Sequence, residues 1–189
     1  MEYEQKNFES LLGTKGLSDA LLQNHFKLYT GYVKRTNELV EKKQSLQSGT
    51  PEFAELYRRF GWEFNGMRLH ELYFGNLVKD GKGLDSEAQL ATLMNDQFGS
   101  FEDWQKAFKA VGSMPGIGWV VLTYDPEAKQ LFNVWINEHD VGHLAGAVPL
   151  LVMDVFEHAF MVDYGLNKAE YIQAFFETID WSVVAHRLG

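Results

Sequence analysis

The hydrophobic period of this chain changes near residue 118, and that change limits the folds open to it. Upstream, apolar residues recur at spacings of three and four, as one face of an α-helix requires. Leu21, Leu22, Phe26, Leu28, Tyr29, Tyr32, Val33 and Leu39 mark a first helix running to about Leu46, with Ser18 as its N-cap. Gln47-Ser-Gly-Thr-Pro51 stops it, and Thr50-Pro51 opens a second helix with Phe53, Leu56, Tyr57, Phe60, Phe64, Met67, His70, Leu72, Tyr73 and Leu77 on its buried face. Two long helices joined by a short polar turn form an antiparallel hairpin.

From Gly118 the reading is strand. Gly118–Tyr124 and Gln130–Ile136 flank the turn Asp125-Pro-Glu-Ala-Lys, and a third apolar run covers residues 149–154. Between hairpin and strands lie a Gly-rich linker, Asp80-Gly-Lys-Gly-Leu-Asp85, and two expected helices, Ser86–Phe98 and Ser100–Val111, each with its serine as cap. Lys168–Phe176 and Trp181–Leu188 read as helices, and Met1–Gly16 as a polar arm on the surface. The expected class is α+β: an N-terminal antiparallel helical hairpin (residues 1–80), then an α/β domain with a three-stranded antiparallel sheet (residues 81–189), with the functional site between them.

Composition narrows the chemistry. A chain of 189 residues, 46% hydrophobic and 14% aromatic, has ample material for a packed core. Its net charge of −9 argues against nucleic acid or anionic membrane as a partner. It contains no cysteine, which excludes disulfides, thiolate metal sites and a cysteine nucleophile. Residues 1–20 lack a signal-peptide core and no apolar run approaches membrane-spanning length, so a soluble cytoplasmic protein is expected.

The remaining chemistry lies in histidines. Leu150-Leu-Val-Met delivers Asp154 at a strand end, and His158 follows on the expected first helical turn, so one corner presents a carboxylate and an imidazole. His25 and His70 each fall on the apolar face of a hairpin helix. A single histidine there is usually a hydrogen-bonded core residue. Together, three imidazoles and one carboxylate from separate elements are suited to iron, manganese or zinc, and leave the ion a net positive charge and an open position. His139, His143 and His186 remain; His143 is expected to be exposed or structural, and His186 a plain helix residue.

Asp154-Val-Phe-Glu-His158-Ala-Phe resembles the Asp-x-Trp-Glu-His-Ala-Tyr motif of the iron/manganese superoxide dismutases. Asn65-Gly-Met-Arg-Leu-His70 resembles the segment of their second histidine ligand, and Leu17-Ser-Asp-Ala-Leu-Leu-Gln-Asn-His25 that of the first. Gly116-Ile-Gly-Trp119 and Asp180-Trp181 resemble two further segments, in the same order along nearly the whole chain. The resemblance implies metal ligands His25, His70, Asp154 and His158 and one iron or manganese per chain. It implies conversion of superoxide to oxygen and hydrogen peroxide as the ion cycles between +3 and +2. An ungapped alternative puts Asn24 at the first ligand position. The family resemblance implies too a homodimer, with pairing into a tetramer left open, and Glu157 reaching across the two-fold axis to the partner's ligand.

The departures from the family pattern are specific. Many relatives hold the metal's solvent with a glutamine, either four residues before the second ligand or at the end of the second strand; here these positions are Gly66 and His139, and the chain resembles the branch of the family with histidine at the latter. His139 is expected to act next to the metal without binding it. Tyr32 resembles the tyrosine lining the substrate funnel, but stands one residue closer to its ligand than usual, so the first helix is expected to lack the π-bulge an extra residue would make. Met161 replaces a funnel tyrosine, and Tyr29 or Leu28 stands near the place of the histidine that this tyrosine pairs with. Phe156 keeps apolar bulk, Trp119 and Trp135 are candidate walls, and Val152 stands where many manganese-preferring relatives have glycine. Val152 and the absent glutamine favour iron, or use of either metal. Arg187, Lys27 and Arg35 are candidates for drawing an anion inward. The alternative to the dismutase is a catalytically impaired, metal-binding dimeric homologue whose funnel is lost.

Overall fold

The structure, a computed structural model, describes residues 2–189, so Met1 of the expected arm lies outside it. Helix α1 (Asp19–Ser45) starts where Ser18 Oγ accepts the Leu21 N–H, and α2 (Pro51–Gly75) where Thr50 Oγ1 accepts the Phe53 N–H with Pro51 in the first turn. Both are the caps expected from sequence. α1 runs as one α-helix with no π-turn, which keeps His25, Tyr29 and Tyr32 on a single buried face.

Two shorter helices follow, α3 (Gln89–Phe98) and α4 (Phe101–Gly112). Ser100 caps α4 through the Asp103 N–H. Ser86 does not cap α3, which begins three residues later than expected. Asp85 Oδ1 takes the Glu87 N–H at 3.0 Å, and this Asx turn holds residues 85–88 out of the helix.

Strands β1 (Gly118–Asp125), β2 (Gln130–Asn137) and β3 (Val148–Asp154) form an antiparallel sheet in the order β2-β1-β3. The central strand is buried on both faces and accordingly reads as a nearly continuous apolar run, interrupted by Thr123. Its register sets Trp119 between Ile136 and Asp154. Gly118 makes that close pairing feasible: its φ is +150°, and an added Cβ would lie 2.0 Å from the Ile136 carbonyl oxygen. Pro149 of β3, an edge strand, pairs with Thr123 at the register shift between Leu122 and Thr123, the kind of position that tolerates proline.

The continuous helix expected from Glu157 is broken. Glu157–Ala159 is a single 3₁₀ turn, Phe160 breaks the helical backbone at φ −142°, and α5 covers only Met161–Tyr164. Helices α6 (Lys168–Glu177) and α7 (Trp181–His186) close the chain. The N-terminal arm is not merely laid on the surface. Leu11 and Leu17 are buried, Phe8 packs 4.9 Å from the Phe74 ring, and the Lys6 N–H donates to Tyr29 Oη. Among the described residues, no helix is long and apolar enough to cross a membrane.

Candidate metal centre

Four side chains from four elements converge. His25 comes from α1, His70 from α2, Asp154 from the end of β3 and His158 from the 3₁₀ turn after it; their ligating atoms all lie within 4.8 Å of one another. Asp154 Oδ2 is the hub, at 3.2 Å from His25 Nε2, 3.1 Å from His158 Nε2 and 3.8 Å from His70 Nε2. Its other oxygen accepts the Phe156 N–H at 2.9 Å, and its backbone carbonyl accepts the Tyr171 hydroxyl at 2.7 Å. The carboxylate is therefore aimed before any ligand arrives. Asn24 is exposed, so the ungapped alternative for the first position is set aside by geometry.

The protonation pattern prepares this cluster for a cation. His70 Nδ1–H donates to the Gly66 carbonyl at 2.6 Å, one helical turn earlier, which leaves the Nε2 lone pair facing Asp154. That Nε2 is buried and has no hydrogen-bond partner, a costly state for a polar atom unless something binds it. Burial pushes the His70 pKa well below its ordinary value and lowers that of His25 despite the hydrogen bond between its Nε2 and Asp154 Oδ2, so burial favours the neutral ring in both. Burial works against the Asp154 charge, but His158, together with hydrogen bonds from His158 and His25, holds the carboxyl well below the usual range. Burial also disfavours a charged His158, yet Asp154 outweighs it and raises its pKa. A cation entering here competes with the proton that Asp154 favours on His158.

His139 stands beside this group and not in it. The Trp119 indole N–H donates to His139 Nδ1 at 3.0 Å. Indole only donates, so neutral His139 carries its proton on Nε2, which faces Tyr32 Oη at 2.7 Å. Burial lowers the His139 pKa to about 4 and keeps the ring neutral. The Tyr32 oxygen thus accepts from His139, and its own proton is free to donate onward. Glu138, at φ +50°, bends the chain into the left-handed region so that the next side chain turns inward. His143 is exposed and its Nε2–H caps the His139 carbonyl at 2.9 Å; His186 is exposed on α7.

Gly66 explains where the alternative glutamine would have stood. The Tyr32 ring fills that space: a Cβ on Gly66 would lie 2.6 and 2.7 Å from Tyr32 Cδ1 and Cε1. Alanine for glycine within a helix ordinarily stabilises by about 1 kcal/mol. Here Gly66→Ala is expected to destabilise instead, by about 1–3 kcal/mol as an overpacking change, and to loosen the Tyr32–His139 bond. Denaturant unfolding checks this; a more stable variant would show that the ring gives way freely.

Several expected neighbours lie elsewhere. Tyr29 is buried on the face of His25, but its hydroxyl accepts from Lys6 and donates to Glu71 Oε1 at 3.0 Å, turned to the arm and not to the cluster. Met161 is 43% exposed on α5, and Glu157 is exposed too. Trp135 pairs with Val120, one residue out of step with Trp119, which puts it on the other sheet face. Val152 is buried two residues before Asp154, with its carbonyl taken by Asn76 Nδ2 at 2.6 Å. Phe156 is half-buried, its ring 5.0 Å from His139 and 5.1 Å from His158. Arg187 is not an anion attractor: its guanidinium donates inward to Asn76 and to the Leu150 and Leu72 carbonyls. Sequence reading missed Trp62, 4.5 Å from the His139 ring, and Tyr171, which bonds the Asp154 carbonyl. Trp62 lies one turn before Gly66, a spacing that marks the same helix face.

The family model described as iron/manganese superoxide dismutases, C-terminal domain, matches residues 86–187. A protein of Cupriavidus metallidurans named as an iron superoxide dismutase is 40% identical over 92% of this chain and 89% of its own. One from Saccharolobus solfataricus, also named for iron, is 33% identical over 93% and 85%. One from Haloferax volcanii, named for manganese, is 35% identical over 88% and 84%.

Proposed function

Because the chain belongs to the iron/manganese superoxide dismutase family, we propose that it dismutes superoxide with one iron or manganese ion held by His25, His70, Asp154 and His158. The convergence of three imidazole nitrogens and one carboxylate oxygen within 4.8 Å carries this reading. The donor set fits: two imidazoles that burial favours as neutral, an orphaned Nε2 on His70, and a carboxylate oxygen, Asp154 Oδ2, on which the ring nitrogens converge. Bound there, the ion supplies a +3/+2 couple through which one superoxide is oxidised to oxygen and a second, taking two protons, is reduced to hydrogen peroxide.

The protein's own part is to move protons and exclude water. Trp119 fixes the His139 tautomer, His139 Nε2–H bonds the Tyr32 oxygen, and the Tyr32 hydroxyl proton is the group left to donate to a peroxide anion. Phe156, Trp62 and Trp119 pack around His139 and keep this path dry. His139 thus takes over the role of the family's glutamine. Gly66 and Val152 favour iron, or use of either metal. The reading takes the chain as two units meeting at the ligands, divided near residue 80. Glu157 and Met161, both exposed, suit a contact with a second copy, which Glu157 reaches to brace a ligand; pairing of dimers into a tetramer is compatible with this.

The decisive experiment strips the protein, reloads separate samples with iron and manganese, confirms stoichiometry and measures superoxide loss. Activity is expected with iron, with manganese equal or lower. Full loading without activity under either metal would establish the impaired homologue instead.

A further inference from the structure

One carboxylate near the site has no part in the chemistry above. Glu63 on α2 is only 2% exposed, yet it is held by two arginines that are each 44% exposed. Arg35 Nε donates to Glu63 Oε2 at 2.8 Å; Arg59 Nε and Nη2 donate to Oε1 at 3.0 and 2.7 Å. Burying a carboxylate to hold surface cations adds little stability, because desolvation offsets the attraction. What the arrangement does fix is where the guanidiniums point.

Each lies on an aromatic ring of the site wall. Arg35 Cζ is 4.7 Å from the Tyr32 ring centroid and Arg59 Cζ is 4.1 Å from that of Trp62. Both rings back onto His139, Tyr32 through its hydroxyl and Trp62 at 4.5 Å between centroids. Gly31 clears the way for this fold-back: a Cβ there would lie 2.9 Å from Arg35 Nη1. Among the described residues, Arg35 spends only Nε and Arg59 only Nε and Nη2 on the protein, which leaves the Arg35 fork and Arg59 Nη1 as donors on two side chains each 44% exposed. Glu138, held by the Trp62 indole N–H, balances part of the charge. Burial raises the Tyr32 hydroxyl to about 12, and Arg35 is the foremost charge acting against that rise, so its field reaches this oxygen.

We propose that Arg35 and Arg59, fixed on Glu63, form a docking station for small monoanions that passes superoxide to Tyr32 and His139 against the −9 background. The identity of the anion rests on the dismutase reading; the station itself rests on the geometry.

The test uses iron-loaded wild type, Arg35→Gln, Arg59→Gln and Arg35→Lys. Azide, a stable monoanion, is titrated by absorption and superoxide loss is measured, each at about 10 mM and about 500 mM ionic strength, where screening is weak and strong. Each glutamine variant is expected to bind azide about two- to threefold more weakly, and to consume superoxide more slowly by a like factor, at low salt only. Arg35→Lys keeps the charge and is expected to recover most of the loss. Equal azide affinity across the series at low salt, or a loss of the same size at both salt levels, would overturn the proposal. A wild type that binds azide with this pattern but consumes no superoxide would leave the station standing and remove the dismutase.

Discussion

Asp154→Asn is expected to reduce retention of iron and manganese by at least about 100-fold, since even residues behind a ligand cost 10- to 100-fold when removed. The carboxylate is the one anionic donor among the four, and Oδ2 is the atom on which His25, His70 and His158 converge. An asparagine keeps the size and leaves an acceptor for the Phe156 N–H, but removes the charge that draws a cation among three imidazoles. It also frees His158 from the group that raises its pKa, so that imidazole competes less well with its own burial for a proton. The core around the site is apolar and unchanged, so the variant should fold. Metal content after dialysis, with circular dichroism as the check on folding, decides the matter. Stoichiometric metal in a folded Asp154→Asn would mean that the three histidines suffice and that Asp154 has another role.

The frame was legible because it is periodic. A three-four spacing marks a buried helix face wherever the helix ends up, and Ser18, Thr50 and Ser100 cap in the way short hydroxyl side chains do. The convergence of His25 and His70 with Asp154 was legible for the same reason: each lies in phase with its element's apolar residues, so each must point inward. Where local chemistry competes, the pattern was silent. Ser86 is as good a cap as Ser100 on paper, but Asp85 bonds the nearby backbone first. The sequence Glu157–Val162 is helical by propensity, yet the chain breaks at Phe160, whose buried ring packs 5.6 Å from Tyr171. Tyr29 shares its face with His25 but is diverted by Lys6 and Glu71, partners contributed by the N-terminal arm and α2. Charged residues carry no period at all. Neither the turning of Arg187 inward nor the gathering of Arg35 and Arg59 on Glu63 can be read from spacing.

Arg187→Met is expected to be strongly destabilising although Arg187 is no metal ligand. Arg187 lies at the end of α7 with its guanidinium largely withdrawn from water, and that desolvation lowers its pKa to about 10. Among the described residues no carboxylate pairs with it, and its partners are neutral. Nη1 donates to Asn76 Oδ1 and the Leu150 carbonyl, both at 2.6 Å, and Nη2 to the Leu72 carbonyl at 3.1 Å. Leu72 belongs to the last turn of α2, where its carbonyl also accepts the Asn76 N–H at 3.0 Å and the helix dipole favours a cation. Leu150 belongs to β3, the strand that ends in Asp154. One side chain therefore ties the C-terminal helix to the two elements that carry His70 and Asp154, and Asn76, fully buried, continues the tie to the Val152 carbonyl. Methionine matches the bulk but takes the guanidinium away from Asn76 Oδ1 and the Leu150 carbonyl, each at a cost of about 1–3 kcal/mol with water recovering part of the loss, while the Leu72 carbonyl keeps the Asn76 N–H. A net loss of about 3–4 kcal/mol is expected, a fall in Tm of roughly 6–16 °C for a chain of this size. Metal affinity should fall with it, because β3 and α2 lose the brace that holds their ligands in register. Thermal unfolding of the stripped protein isolates the first effect. A Tm within about 2 °C of wild type, below the shift that 1 kcal/mol gives in a domain this long, would show that the loop at Asn76 and the α7 cap at Asp180 hold the junction without the arginine.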